Sequence, residues 1–141
     1  MNAYSKSADS YLVQRILGAG PEQQAALIME AGQLHLGKAI HALSQNNMAA
    51  ATSSFLRVSE VIVEATIRLD LEGGGELAEN LGKLYDFWNR EIVAGSYARD
   101  LARLGAVVQA MGEIRQAWEQ YHEKKMKDGS LSKFQTGSQV V

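Results

Sequence analysis

The sequence has no cysteine and a single proline, Pro21, in 141 residues. Without cysteine there is no disulfide framework, no thiolate nucleophile and no zinc knuckle, which fits a reducing compartment. The scarcity of proline, beside abundant Ala, Leu, Glu and Gln, favours helix throughout. Charge of neither sign dominates: 14 basic residues stand against 16 acidic ones, a net charge of −2. Such a balance gives no general attraction to nucleic acid or to an anionic membrane. No run of about 18 apolar residues occurs, so no membrane insertion is expected. The polar stretch over residues 1–10 lacks the apolar core of a signal peptide. The expectation is a soluble cytoplasmic protein. Its length suits one domain, and 46% hydrophobic residues suffice for a core.

What is present is helical periodicity. The pattern predicts helices over about 21–43, 48–71, 76–93 and 98–125. Pro21 suits a first helical turn, where its missing N–H would be unpaired anyway. The first helix carries Ala25, Ile28 or Met29, Gly32, Leu36, Ile40 and Leu43 at helical spacing. Gly32 and Gly37 each cost roughly 1 kcal/mol against Ala in a helix interior, which suggests close approach of a neighbouring helix. The second helix has a seam at Ala51, Phe55, Val58, Ile62, Ala65 and Leu69. A second apolar stripe, Leu56, Val63 and Ile67, lies ~100–140° around from it. Gly73-Gly74-Gly75 interrupts the chain. The third helix places Leu77, Leu81, Leu84, Trp88 and Ile92 on one face, with Tyr85 and Phe87 on its opposite flanks, and Ala94-Gly95-Ser96 is expected to close it. The fourth carries Leu101, Leu104, Val108, Met111, Ile114, Trp118 and Tyr121. Short connections imply antiparallel neighbours. The expected fold is all-α: an antiparallel up-down four-helix bundle over 21–125, an N-terminal cap segment over 1–20 and a flexible, disordered C-terminal tail over 126–141.

Motifs that would carry catalysis are weak. Glu119-x-x-His122 is half of a carboxylate-bundle metal motif, which needs a second such pair and two further inward glutamates. His35 and His41 supply neither, and their spacing puts them on different helix faces. A solvated pair at a helix end is the simpler reading of Glu119 and His122. Gly73-x-Gly75-x-x-Ala78 matches a dinucleotide fingerprint only formally, because that motif follows a strand. Lys124, Lys125, Lys127 and Lys133 form the one basic cluster, and a solvated terminus accounts for them. No catalytic, cofactor-binding or metal-ligating residue is expected, and the chain does not read as an enzyme.

The aromatic cluster carries more. Trp88 and Trp118 are expected as core anchors. Tyr85 and Phe87 cannot both point along the Leu81–Trp88 axis. With Leu56, Val63 and Ile67 they form either an enlarged core or an apolar surface for a partner. Upstream, Tyr11, Leu12, Val13, Ile16 and Leu17 make a cluster too short to stand alone. It is placed as a cap over an apolar groove, with Tyr11, Ile16 and Leu17 as its contacts, where an amphipathic partner would compete.

At these residues the chain resembles the flagellar secretion chaperone family, FliS. The N-terminal landmark is Ile16-Leu17-Gly18-Ala19-Gly20-Pro21-Glu22, and the second is Val61-Ile62-Val63-Glu64 with Leu69-Asp70. The most distinctive part is the acidic, glycine-rich turn Glu72-Gly73-Gly74-Gly75-Glu76-Leu77, then Asn80-Leu81, Leu84-Tyr85-Asp86-Phe87 and Arg90. Arg115-Gln116-Ala117-Trp118 closes the series. Gly18, Gly20, Gln24, Ile28-Met29 and Ala65 depart from the family pattern, which bears on the packing of the cap and first helix. The resemblance implies a cytoplasmic four-helix chaperone that binds the C-terminal segment of flagellin, prevents premature polymerisation and hands it to the export apparatus. It implies that the N-terminal segment covers part of the site until displaced. Further partners in the family are the export gate protein and an anti-sigma factor. The alternative is a helical adaptor or homodimerisation module without chaperone activity.

Overall fold

The computed structural model describes residues 20–69 and 74–140, with side chains as far as residue 128. Two tight turns set its architecture. Between α1 (Pro21–Ser44) and α2 (Met48–Ile67), Asn46 takes the left-handed conformation, with φ of 56°. The Asn47 N–H donates to the Ala42 carbonyl at 2.9 Å and the Asn46 N–H to that of Leu43 at 3.0 Å. These two bonds are a Schellman ending. Asn47 then caps α2, its Oδ1 accepting from the Ala50 N–H at 3.1 Å. The same device joins α3 (Gly75–Ala98) to α4 (Leu101–Val140). There Arg99 is left-handed, with φ of 53°. The Asp100 N–H donates to Gly95 at 2.9 Å, and the Asp100 carboxylate accepts from the Arg103 N–H at 3.0 Å. The two turns are tied together, Arg99 donating to Asn46 Oδ1 at 3.2 Å. Replacing Asn47 with Ala removes one cap and should lower unfolding free energy by ~1 kcal/mol. Urea titration checks this: the midpoint falls while the slope stays constant.

The helices form a ring. α1 packs most extensively on α4 and α2, α3 packs on α4, and α2 and α3 share the thinnest contact. Among the described residues no packing joins the diagonal pairs. The fold is therefore a four-helix bundle of up-down-up-down order. Met29, Leu36, Val58, Ile62, Trp88, Leu104 and Met111 fill its centre. Gly32 lets α1 and α4 close on each other: a Cβ there would stand 2.9 Å from Met111 Sδ. Gly37 faces open space, so the close approach expected of it is absent.

Four expectations need correction. α2 ends at Ile67, not near residue 71. α3 does not stop at Ala94-Gly95-Ser96 but continues to Ala98. Gly95 is buried there because Leu104 packs where a Cβ would lie, at 2.8 Å. The inward stripe of α3 is Ala78, Leu81, Tyr85, Trp88 and Ile92. Leu77 sits about 100° off that stripe and is 59% exposed. Finally, α4 runs on to Val140 rather than ending near Lys125, so the tail expected to be disordered is helical. Lys124-Lys125-Met126-Lys127 are good helix formers, and a lone Gly129 weakens a helix by ~1 kcal/mol without stopping it.

Candidate functional site

The end of the bundle opposite the tight turns is open. Here the first turn of α1, the last residues of α2, the start of α3 and α4 around Ile114–Tyr121 converge on a cleft of about 810 Å³. The cleft exists because the residues that face it are small. Ala25, Ala65, Ala78 and Ala117 line it, and methyl groups do not bridge the gap between four diverging helices. Met29, Leu81 and Tyr85 are its buried floor; Leu77, Trp118 and Tyr121 are its more exposed walls. Trp118 and Tyr121 meet edge to face at 6.1 Å and 84°. Tyr85 lies against Trp88 at 5.4 Å. Burial pushes the Tyr85 phenol above its ordinary pKa, so its hydroxyl stays protonated.

The polar groups at the rim are paired. Glu22 Oε1 receives Lys125 Nζ at 2.6 Å, and His122 Nδ1 stands 3.7 Å from Oε2. On the other side Arg68 donates to Gln24 Oε1 at 2.6 Å and to Glu64 Oε1 at 2.9 Å. The hydrogen bond from Lys125, then one from the backbone, hold the Glu22 carboxyl below its ordinary value of 4.5. A carboxylate with a lowered folded pKa stabilises the fold above its unfolded pKa. That stability disappears as pH falls through the lowered value. The unfolding free energy of the protein should therefore drop on acidification from about pH 5, and Glu22→Gln should flatten that drop. Urea midpoints at a series of pH values test this. Glu91, likewise lowered by Arg103, keeps a residual slope in the variant. If Glu22→Gln leaves the profile unchanged, the pair does not contribute.

A second, shallower groove of about 300 Å³ follows the loose α2–α3 edge, between Phe55 and Leu56 on one side and Asn89, Val93 and Ser96 on the other. Leu56 and Val93 are exposed, as is Tyr97 one turn beyond.

The structure separates the residues grouped from sequence. Leu56 is in the α2–α3 groove, and Val63 and Ile67 continue its exposed stripe along α2. Tyr85 is 4% exposed and belongs to the core and the cleft floor, which corrects its placement with an exposed patch. Four residues from Leu81 and three from Trp88, it shares their face. Phe87 is 48% exposed but on another flank. One turn on, Glu91 pairs with Arg103 of α4 at 2.7 Å, so Phe87 faces the α4 side and not α2. Trp118, expected as a core anchor, is half-buried at the cleft wall. Tyr11, Ile16 and Leu17 lie outside the described residues. Sequence reasoning missed Glu22, His122 and Lys125. His122 and Lys125 were read as solvated, whereas both turn to Glu22. Glu119 pairs with Arg115 at 3.0 Å instead. The one available signal was an acid in the first turn of a helix preceding a long, lysine-ended one.

Residues 3–125 match the family model described as flagellar protein FliS. Over 121 residues the chain is 29% identical to the flagellar secretion chaperone FliS of Vibrio cholerae, covering 85% of this chain and 86% of that protein. It is 26% identical over 110 residues to the FliS of Salmonella typhimurium, covering 77% and 82%. The flagellar secretion chaperone FliSB of Pseudomonas aeruginosa is 24% identical over 119 residues, covering 84% and 94%.

Proposed function

The chain belongs to the flagellar protein FliS family, a family of chaperones in flagellar biogenesis and not of enzymes, and from that premise we propose that it binds the C-terminal segment of flagellin in the cytoplasm. By covering that segment's apolar surface it prevents premature polymerisation, and it then hands the subunit to the export apparatus. The observation that carries this reading is the open cleft, apolar on floor and walls and left unfilled by the protein's own side chains. The α2–α3 groove with Leu56, and the stripe through Val63 and Ile67, extend the apolar surface for a long guest. Tyr85 contributes from the cleft floor, and Phe87 from the α4-facing flank. No step requires a nucleotide or cofactor: guest binding is driven by removing apolar surface from water. Among the described residues no helix is long and apolar enough to cross a membrane.

Gly20 and the start of α1 adjoin the cleft, so the preceding chain enters beside it. This supports a cap role for Tyr11, Ile16 and Leu17, which would compete with the guest. The export gate protein and an anti-sigma factor are further partners on this reading. Co-purification with intact flagellin, and with flagellin lacking its C-terminal segment, tests the function: only the intact protein should be retained. Equal retention of both rejects the assigned segment. In the same assay, removal of residues 1–17 should tighten binding, and weaker binding would reject the cap.

One observation favours a second reading. Val93 and Tyr97, with Leu56, are exposed away from the cleft, a surface that suits a helical adaptor or homodimer. Sedimentation distinguishes it: a dimer persisting at low micromolar concentration and indifferent to flagellin would support that role.

A further inference from the structure

We propose that the Glu22–Lys125 ion pair is a charge clasp that holds the end of α4 over the cleft and thereby governs access to it. The pair is asymmetric. Across a contact of 2.6 Å the glutamate side chain is 11% exposed and the lysine side chain 58%. Glu22 is fixed in the wall, while Lys125 reaches in from solvent on a stem free to swing away. His122, three residues earlier on α4, directs Nδ1 toward the other carboxylate oxygen at 3.7 Å. Two groups of α4 thus converge on one acid of α1.

Apolar packing does not do this work at that point. Beyond Trp118 the α4 residues 119–121 and 123–128 are exposed, and only His122 is half-buried. The last described stretch of α4 is therefore tied to the bundle by charge. Trp118 and Tyr121, which wall the cleft, stand on the segment the clasp pins. The opposite side of the same α1 turn is anchored separately, Arg68 of α2 donating to Gln24 Oε1 at 2.6 Å. When the clasp opens, α1 stays with α2, and α4 is the element that leans away and widens the cleft. Access to an apolar site then depends on charge. Salt weakens the clasp by screening, and a guest with a cation beside its apolar face displaces Lys125 from Glu22.

The consequence for guests rests on the chaperone reading, but the clasp is measurable in the free, full-length chain. Hydrogen exchange reports opening at residues 118–125. Iodide quenching reports Trp118, because the other tryptophan, Trp88, is 1% exposed. In Lys125→Met, exchange at 118–125 should rise ~3–10-fold and quenching should increase, with α2 amides near Ile62 unchanged. Glu22→Gln should do the same, and Lys125→Arg should retain protection. Unchanged exchange in Lys125→Met overturns the clasp. That variant alters an exposed side chain, so it tests the clasp even if Glu22→Gln folds poorly. Flagellin binding is a separate measurement: its absence in the wild-type chain would reject the chaperone reading and leave an observed clasp intact.

Discussion

Trp88→Ala should lower the unfolding free energy by ~3–5 kcal/mol, the largest stability loss of any single truncation in the bundle. A domain of this size has ~5–15 kcal/mol in total, so the variant sits near the edge of folding. Trp88 is among the largest fully buried side chains, at the centre of a cluster drawn from all four helices. Its neighbours come from helix backbones that cannot collapse inward, so most of the vacated volume remains as cavity. The indole N–H has no hydrogen-bond partner among the described residues. Packing alone is therefore lost on truncation. This makes Trp88→Phe a discriminating control. It keeps a ring and removes a buried unpaired donor, which costs ~1–3 kcal/mol where it stands. Urea or thermal unfolding should place Trp88→Phe much closer to wild type than to Trp88→Ala. Equal losses in the two variants would show that the N–H is satisfied after all.

Leu77→Asp should leave the fold standing and weaken flagellin binding about 100-fold, some 2.7 kcal/mol. Leu77 is off the inward stripe of α3, so a carboxylate there remains in water in the free protein. It also lines the cleft, so a guest filling that space would bury the charge unpaired. Losses of this size are ordinary for a contact at the centre of an interface. Calorimetry with the C-terminal segment measures the affinity, and circular dichroism checks the fold. Leu56→Asp makes the parallel test in the α2–α3 groove. If Leu77→Asp binds normally while Leu56→Asp does not, the guest uses the groove and not the cleft.

Periodicity made the bundle legible. Apolar residues at spacings of three and four, few breakers and short connections specify four rods with one greasy face each. The seam of α2 could be read residue by residue because it has no competitor of equal size on its face. The face of α3 could not. Leu77, Tyr85 and Phe87 are all large and apolar, and one turn of helix allows several stripes among them. Only the neighbours chose: α4 packs on one flank, α2 approaches from another, and Tyr85 goes inside while Phe87 does not. Gly95 read as a stop, but it serves as the gap into which Leu104 fits.

The chain alone therefore determined helix number, order and the burial of one face per helix, since these follow from local spacing and water's exclusion of apolar surface. The cleft and its rim were decided by tertiary structure. An empty space depends on alanines from four separate helices meeting at one end, and the Glu22–Lys125 contact joins residues 103 apart in sequence. No local pattern encodes such distant meetings; they arise only once the rods have packed.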